Sequence, residues 1–249
     1  MSYSAFAAYY DILTANVNYA GYARRVDRLL SGFGLRGCTV LDAACGTASL
    51  SVKLSELGYG IIGADISREM ISAACDKLGS ERPKGRFKLS VGDIRRLSPS
   101  EFSADAAVCS LDALNHLGGI REVEAAFRSI AGCLGRGGVF IFDMNTPYKH
   151  RAVLGDNTFV YDLPEVYAVW QNSFRESDCS VGITLDLFGK TESGYQRHTE
   201  RFREKAYPKN AVLGALRRAG FRPEAVFDEL KSCAPGPRTE RILYVARRI

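Results

Sequence analysis

The sequence predicts an α/β protein built on a doubly wound, mostly parallel sheet, with an antiparallel β-sheet inserted late in the chain. Two observations carry this. From about residue 37 to 145, short β-branched runs (CTVLDA, YGIIGADI, FKLSVGD, DAAVCSL and GVFIFDM) alternate with apolar residues at helical spacing, the pattern of βαβ units around a parallel sheet. After Pro147 the period changes, and residues 157 to 207 hold four aromatic and β-branched stretches, NTFVYDL, VYAVWQNSFRE, CSVGITLDLFG and YQRHTERFREKAY. Short polar breaks separate the later ones, which makes hairpins the natural reading.

Taken in order, Tyr22, Val26 and Leu29 mark an amphipathic helix ahead of the sheet. Leu50, Leu54 and Leu57 form a helical stripe, as do Ile71, Ala74 and Leu78 between a Ser67 N-cap and a Gly79 C-cap. Ile120, Val123, Phe127, Ile130 and Leu134 form a third, and all three read as core. A last helix spans about Lys209 to Ala219, and the strand-like runs PEAVFDEL and RILYVAR close the chain around a loop from Ser232 to Arg238. The expected organisation is a helical cap over 1–36, a main domain over 37–150 and 208–249, and the inserted sheet over 151–207.

At 249 residues, 46% hydrophobic and 24% charged, the chain is long enough for one large core and an appendage. Seven scattered cysteines without a C-x-x-C pair predict reduced, mostly buried thiols and no metal site. The amino terminus lacks the pattern of a signal peptide and no apolar run is long enough to span a bilayer, so a cytoplasmic protein is expected. The net charge of +5 is diffuse, its densest stretch, Arg197 to Lys205, being interrupted by Glu200 and Glu204. That argues against a nucleic-acid partner.

The chemistry concentrates where VLDAACGTASLSVKLSELG runs from a buried strand through a small-residue turn into a helix. Such a turn lets backbone groups approach a ligand closely, and a helix amino terminus adds positive potential. The pattern does not match a dinucleotide fingerprint, since Ala44, Gly46 and Ala48 stand where three glycines would. The second strand ends in Asp65, about twenty residues beyond the turn, placed to accept from both hydroxyls of a ribose. The third ends in Asp93, which can accept from an adenine amino group while Ile94 packs on the ring.

On these residues the chain resembles the class I S-adenosylmethionine-dependent methyltransferases, whose leading motif, hydrophobic-D-x-G-C-G-T-G, is similar to Leu41 through Ala48 with alanine at 44 and 48. Further likeness lies in CSLDALNHL, LGRGGVFIFDMNTP and YYDILTANVNYAGYA, and points to the small-molecule subgroup with sugar N-methyl and glycine N-methyl transferases. The resemblance implies a seven-stranded Rossmann-like sheet with the antiparallel insert as an acceptor-binding lid, S-adenosyl-L-methionine as cofactor and a small-molecule acceptor. By position it implies that backbone at Ala44 and Gly46 holds the methionyl part, with Asp42 steadying the loop. Asp65, Ile66, Met70, Asp93 and Ile94 would surround the adenosine, Ser110 and Leu111 would lie by the sulfonium, and Tyr10 and Tyr19 would fold over it.

For the acceptor, the insert offers Trp170, Asn172, Tyr195, Arg197 and His198 among apolar neighbours. A homodimer interface is the competing use of the same face. Direct in-line methyl transfer needs a base for an amine or hydroxyl acceptor, and the candidates are His116, Asp112 and Tyr10. An RNA methyltransferase would need a concentrated basic groove, and a cofactor-binding sensor would bind without turnover.

Overall fold

In a computed structural model, residues 4–249 are described apart from 82, 84 and 230. Seven strands form one sheet: β1 (Thr39–Ala43), β2 (Gly60–Asp65), β3 (Phe87–Val91), β4 (Ala104–Cys109), β5 (Leu134–Asn145), β10 (Phe221–Asp228) and β11 (Arg241–Arg248). Their order is β10-β11-β5-β4-β1-β2-β3. β1 through β5 pair in parallel, while β11 lies antiparallel between β5 and β10. The chain therefore departs from β1 to one side and later returns to its other side at β4. A crevice opens there at the carboxyl edge, where open α/β sheets take ligands.

Helices cover both faces because alternate residues of the central strands are apolar in both directions. Val40, Ile61, Val108, Val139 and Ile141 pack under α2 (Tyr19–Gly32) and α3 (Ser49–Glu56). Leu41, Ala107, Phe140 and Phe142 pack under α6 (Ile120–Cys133) and α7 (Lys209–Arg218). On that second face Phe142 stacks between Phe140 and Tyr244, with ring centroids 4.7 and 4.8 Å away.

Four strands form the second sheet, β6 (Thr158–Asp162), β7 (Val166–Arg175), β8 (Ser180–Thr191) and β9 (Gly194–Lys205), antiparallel throughout. A π-helical turn, Lys149–Leu154, leads into it from β5. Helix α1 (Ser4–Leu13) packs on this sheet. Its apolar residues Phe6, Tyr9, Ile12 and Leu13 pack on Val166, Ala168, Leu185 and Leu187. Tyr9 presses so closely on β8 that a Cβ at Gly189 would fall 1.8 Å from its hydroxyl. Its other side is tied to the β1–α3 loop, where Asp11 accepts from Thr47 at 2.6 Å and pairs with Lys77 at 2.8 Å.

Three local expectations are corrected. Helix α4 (Arg68–Glu81) begins with Ser67 accepting from the Met70 amide at 3.1 Å, but it continues through Gly79, because a lone glycine weakens a helix without ending it. Leu57 is 41% exposed, having reached the turn beyond α3. Of the cysteines only Cys109 and Cys133 are buried, and all seven are free. Among the described residues no helix is long and apolar enough to cross a membrane, and no cluster of metal-ligating side chains occurs.

Candidate active site

The loop after β1 turns sharply, with Ala44, Gly46 and Ala48 all left-handed at φ 64°, 52° and 63°. Asp65, at the end of β2, braces it by accepting from the Gly46 amide at 2.9 Å, and its other oxygen accepts from the Ser67 amide at 2.9 Å. Each oxygen keeps a lone pair for a further donor. Burial raises the Asp65 pKa, opposed by those two backbone bonds.

Asp42 lies beneath the loop, 1% exposed, with one oxygen accepting from Ser51 at 2.6 Å and the other without a partner among the described residues. Burial pushes its carboxyl up to about 6, with Ser51 opposing and Asp65 adding to the rise. The folded state thus binds this proton more tightly than the unfolded chain, so stability is lost as pH rises from the ordinary carboxylate range through about 6. Against Asp42→Asn, which stays neutral, the native protein is expected to lose about 2 kcal/mol between pH 4.5 and 7. Urea unfolding of both proteins at the two pH values measures it, and parallel behaviour would refute a buried carboxyl that titrates in this window.

Past β4 the chain makes a second tight turn, with Leu111 and Asp112 both left-handed at φ 55° and 53°. Two consecutive non-glycine residues in this region carry strain of order 1–3 kcal/mol each. Asp143 of β5, 1% exposed, holds them: it accepts from the Leu111 amide at 2.9 Å, the Asp112 amide at 2.7 Å and the Tyr22 hydroxyl at 2.7 Å. Asp112 is held in turn by Asn145 at 2.6 Å and Arg241 at 2.8 Å. Burial raises its pKa, but Arg241, Lys149 and His116 outweigh that and leave it lowered.

These turns form one end of a cavity of about 650 Å³ that extends to the second sheet. At the other end stand Tyr161, Trp170, Leu185 and Phe202, with the buried Glu204 beside them. His116 lies between, in a 3-10 turn over Ala113–His116, its ring centroid 5.3 Å from that of Phe202. Five carboxylates line this cavity against three fixed cations, Arg95, Lys149 and Arg241, so it is no basic groove.

Of the residues expected here, Tyr10, Ala44, Gly46, Asp65, Ile66, Met70, Asp93, Ile94, Ser110, Leu111, Asp112, His116 and Trp170 line the cavity. Asp42 lies behind it, and Tyr19 stands outside its lining, with its hydroxyl buried near Thr14, Ser49 and Tyr10. Asp93 reaches the wall already engaged, since the Arg95 guanidinium contacts both of its oxygens at 2.7 to 3.1 Å. That hydrogen bonding holds the Asp93 pKa down against burial.

Four acceptor candidates do not join them. Tyr195 and Arg197 project from the opposite face of β9, Tyr195 being 65% exposed and Arg197 paired with Asp186 at 2.9 Å. His198 lies four residues, roughly 13 Å of strand, from Phe202. Asn172 spends its amide on structure, accepting from the Trp170 indole at 2.7 Å and donating to the Asn157 carbonyl at 3.1 Å. Asp143, Asn145, Glu204 and Arg241 were missed. The one signal for Glu204 was its alternation with Phe202, which puts both on one face of β9.

Residues 40–138 match the family described as a methyltransferase domain. A solved S-adenosylmethionine-dependent methyltransferase from Clostridium acetobutylicum is 30% identical, with a TM-score of 0.86 over 97% of this chain and 96% of that one. This chain is an S-adenosylmethionine-dependent methyltransferase. The YqeM protein of Bacillus subtilis is 27% identical over 100% of this chain and 98% of its own. The methyltransferase also shares its fold with CalS10, an amino pentose methyltransferase from Micromonospora echinaspora, at 20% identity and a TM-score of 0.75 over 100% of this chain and 98% of that one.

Proposed function

We propose that this methyltransferase acts on a small-molecule acceptor held between the turns at the sheet edge and the inserted β-sheet. The observation that carries the reading is the single cavity of about 650 Å³, continuous from the strand-end acids to the apolar residues of β7, β8 and β9. That volume falls among small-ligand sites, as does an apolar lining with a few converging polar groups. The description of CalS10 as an amino pentose methyltransferase supports the same class.

The residues fit the cofactor. Asp65 would take the ribose hydroxyls on the lone pairs left by Gly46 and Ser67, and Ile94 would pack on the adenine. Asp93 would accept from the adenine amino group only as Arg95 yields one of its contacts. The partnerless oxygen of Asp42 and the backbone at Ala44 and Gly46 would face the methionyl end, with Tyr10 covering it. When bound, S-adenosylmethionine supplies a methyl group on a positively charged sulfur, already activated for direct in-line transfer.

What the protein adds is alignment and exclusion of water, worth about 7–11 kcal/mol for well-oriented partners, and a place for the acceptor's proton. Tyr10 is a poor base, since burial pushes its pKa well up. Asp112 is committed to Arg241 and Asn145. Of the three candidates, His116, on the cavity wall, is the one left to take the proton. His116→Ala is expected to lower turnover at least tenfold across pH 6 to 9 while affinity for S-adenosylhomocysteine stays within twofold. Turnover within twofold of native would remove His116 from the chemistry. The acceptor class is tested by offering labelled cofactor to low-mass metabolites, RNA and protein separately, and label entering only a macromolecular fraction would overturn it.

A further inference from the structure

We propose that the outer face of the inserted sheet is a docking surface for single-stranded RNA, lying away from the cavity and independent of what the enzyme methylates. Strand alternation creates it. Along β9, Glu200, Phe202 and Glu204 fall on the cavity side, Glu200 lying opposite the cavity residue Leu185. Tyr195, Arg197, Arg201, Arg203 and Lys205 fall on the other side. The two glutamates that dilute this basic stretch in the sequence are therefore removed from it in space, and four cations stand in a row.

The register between strands extends the row. Lys205 lies opposite Ser180, which lies opposite Arg175, and Lys190 lies opposite Tyr195. The outer face thus carries six cations against two strand carboxylates, Asp162 and Asp186. Asp186 is taken by Arg197 at 2.9 Å, while Asp178, in the turn between β7 and β8, pairs with Arg175 and lies 3.9 Å from Lys205. Arg201 and Arg203 are exposed and make no ion pair within 4.0 Å among the described residues. With Asp178 counted, six cations still face three carboxylates, a large part of the +5 carried by the whole chain.

Aromatic rings stand at one end of the row. Tyr195 is 65% exposed and Tyr167 38%, Phe188 lies 6.3 Å from Tyr167 between centroids, and the Arg197 guanidinium sits 5.6 Å over Phe188. A line of cations leading to exposed rings suits a single nucleic-acid strand, with phosphates along the cations and bases on the rings. From Arg197 to Lys205 the row runs for about 27 Å at ~3.4 Å per residue. Gln171 and Thr184, in register with Arg201, offer neutral donors and acceptors to 2′-hydroxyls, which favours RNA over DNA. A second copy of the chain would meet this face with the same positive charge, and like charges across an interface oppose association.

Fluorescence anisotropy with a labelled oligouridylate of about 15 nucleotides tests the surface. Neutralising three or four phosphates predicts an affinity about 20- to 50-fold lower at 200 mM salt than at 50 mM. Arg201→Gln combined with Arg203→Gln should weaken binding at least tenfold at 50 mM and reduce that salt dependence below about tenfold. Its affinity for S-adenosylhomocysteine should stay within twofold of native, which also shows that the variant is folded. Tyr195→Ala should weaken RNA binding at least fivefold through lost stacking, with the salt dependence kept. Oligodeoxyuridylate of the same length should bind at least threefold more weakly than the RNA. No binding by native protein at 50 mM salt would overturn the proposal, as would RNA affinity within twofold of native in either variant. Equal or tighter binding of the DNA, of polyglutamate or of phosphatidylserine vesicles would overturn the assignment to RNA.

Discussion

Replacing Asp65 with alanine is expected to weaken S-adenosylhomocysteine binding by roughly ten- to 150-fold. Two ribose hydroxyls would lose a charged acceptor, and a hydrogen bond to a charged group contributes about 1.5–3 kcal/mol. The same carboxylate braces Gly46 at φ 52°, so part of the loss would come through a loosened loop. Asp65→Asn separates the two contributions, because it retains one accepting oxygen for a backbone amide and loses the charge. Since burial raises the Asp65 pKa, affinity should also fall as the solution is acidified and the carboxylate takes up a proton. Calorimetry on folded variants is the measurement, and an affinity within twofold of native for Asp65→Ala would remove this residue from the cofactor site.

An effect of comparable size is expected on stability from Asp143→Ala. Three donors, the Leu111 and Asp112 amides and the Tyr22 hydroxyl, would be left buried without an acceptor. At about 1–3 kcal/mol for each stranded group, the variant should lose at least about 3 kcal/mol in urea unfolding. Binding should weaken with it, since Asp143 fixes the amides of two successive residues at positive φ where Ser110 and Leu111 line the cavity. Asp143→Asn can still accept on one oxygen and should lose less. An Asp143→Ala protein that unfolds at the native urea concentration would show that the turn holds itself.

The main sheet was legible because each of its strands carries its own evidence. Val139 and Ile141 face one layer of helices while Phe140 and Phe142 face the other, so the run reads as a strand buried on both sides. The acids at the sheet edge were legible for a related reason: Asp65 and Asp93 each close a strand run, and both line the cavity. Which residues of the second sheet face the cavity depends instead on the register between strands, which no single segment contains. Arg197 and Trp170 look alike as interrupted aromatic stretches, yet one projects outward beside Asp186 and the other inward. Arg241 meets Asp112 across 129 residues of chain. Glu204 looked like a charge diluting a basic stretch, and only the pairing of β9 with β8 shows that it points inward.

The alanines at 44 and 48 have a thermodynamic consequence. Glycine at a left-handed position is free to leave it, so a loop of glycines is ordered in part by the arriving ligand, and binding then carries an entropic cost. Ala44 at φ 64° and Ala48 at φ 63°, the latter wholly enclosed, have far fewer alternatives once the chain has folded. The loop is thus shaped before the ligand comes. Its ordering burdens the stability of the protein, and a ligand taken there would meet a surface that has little freedom left to lose.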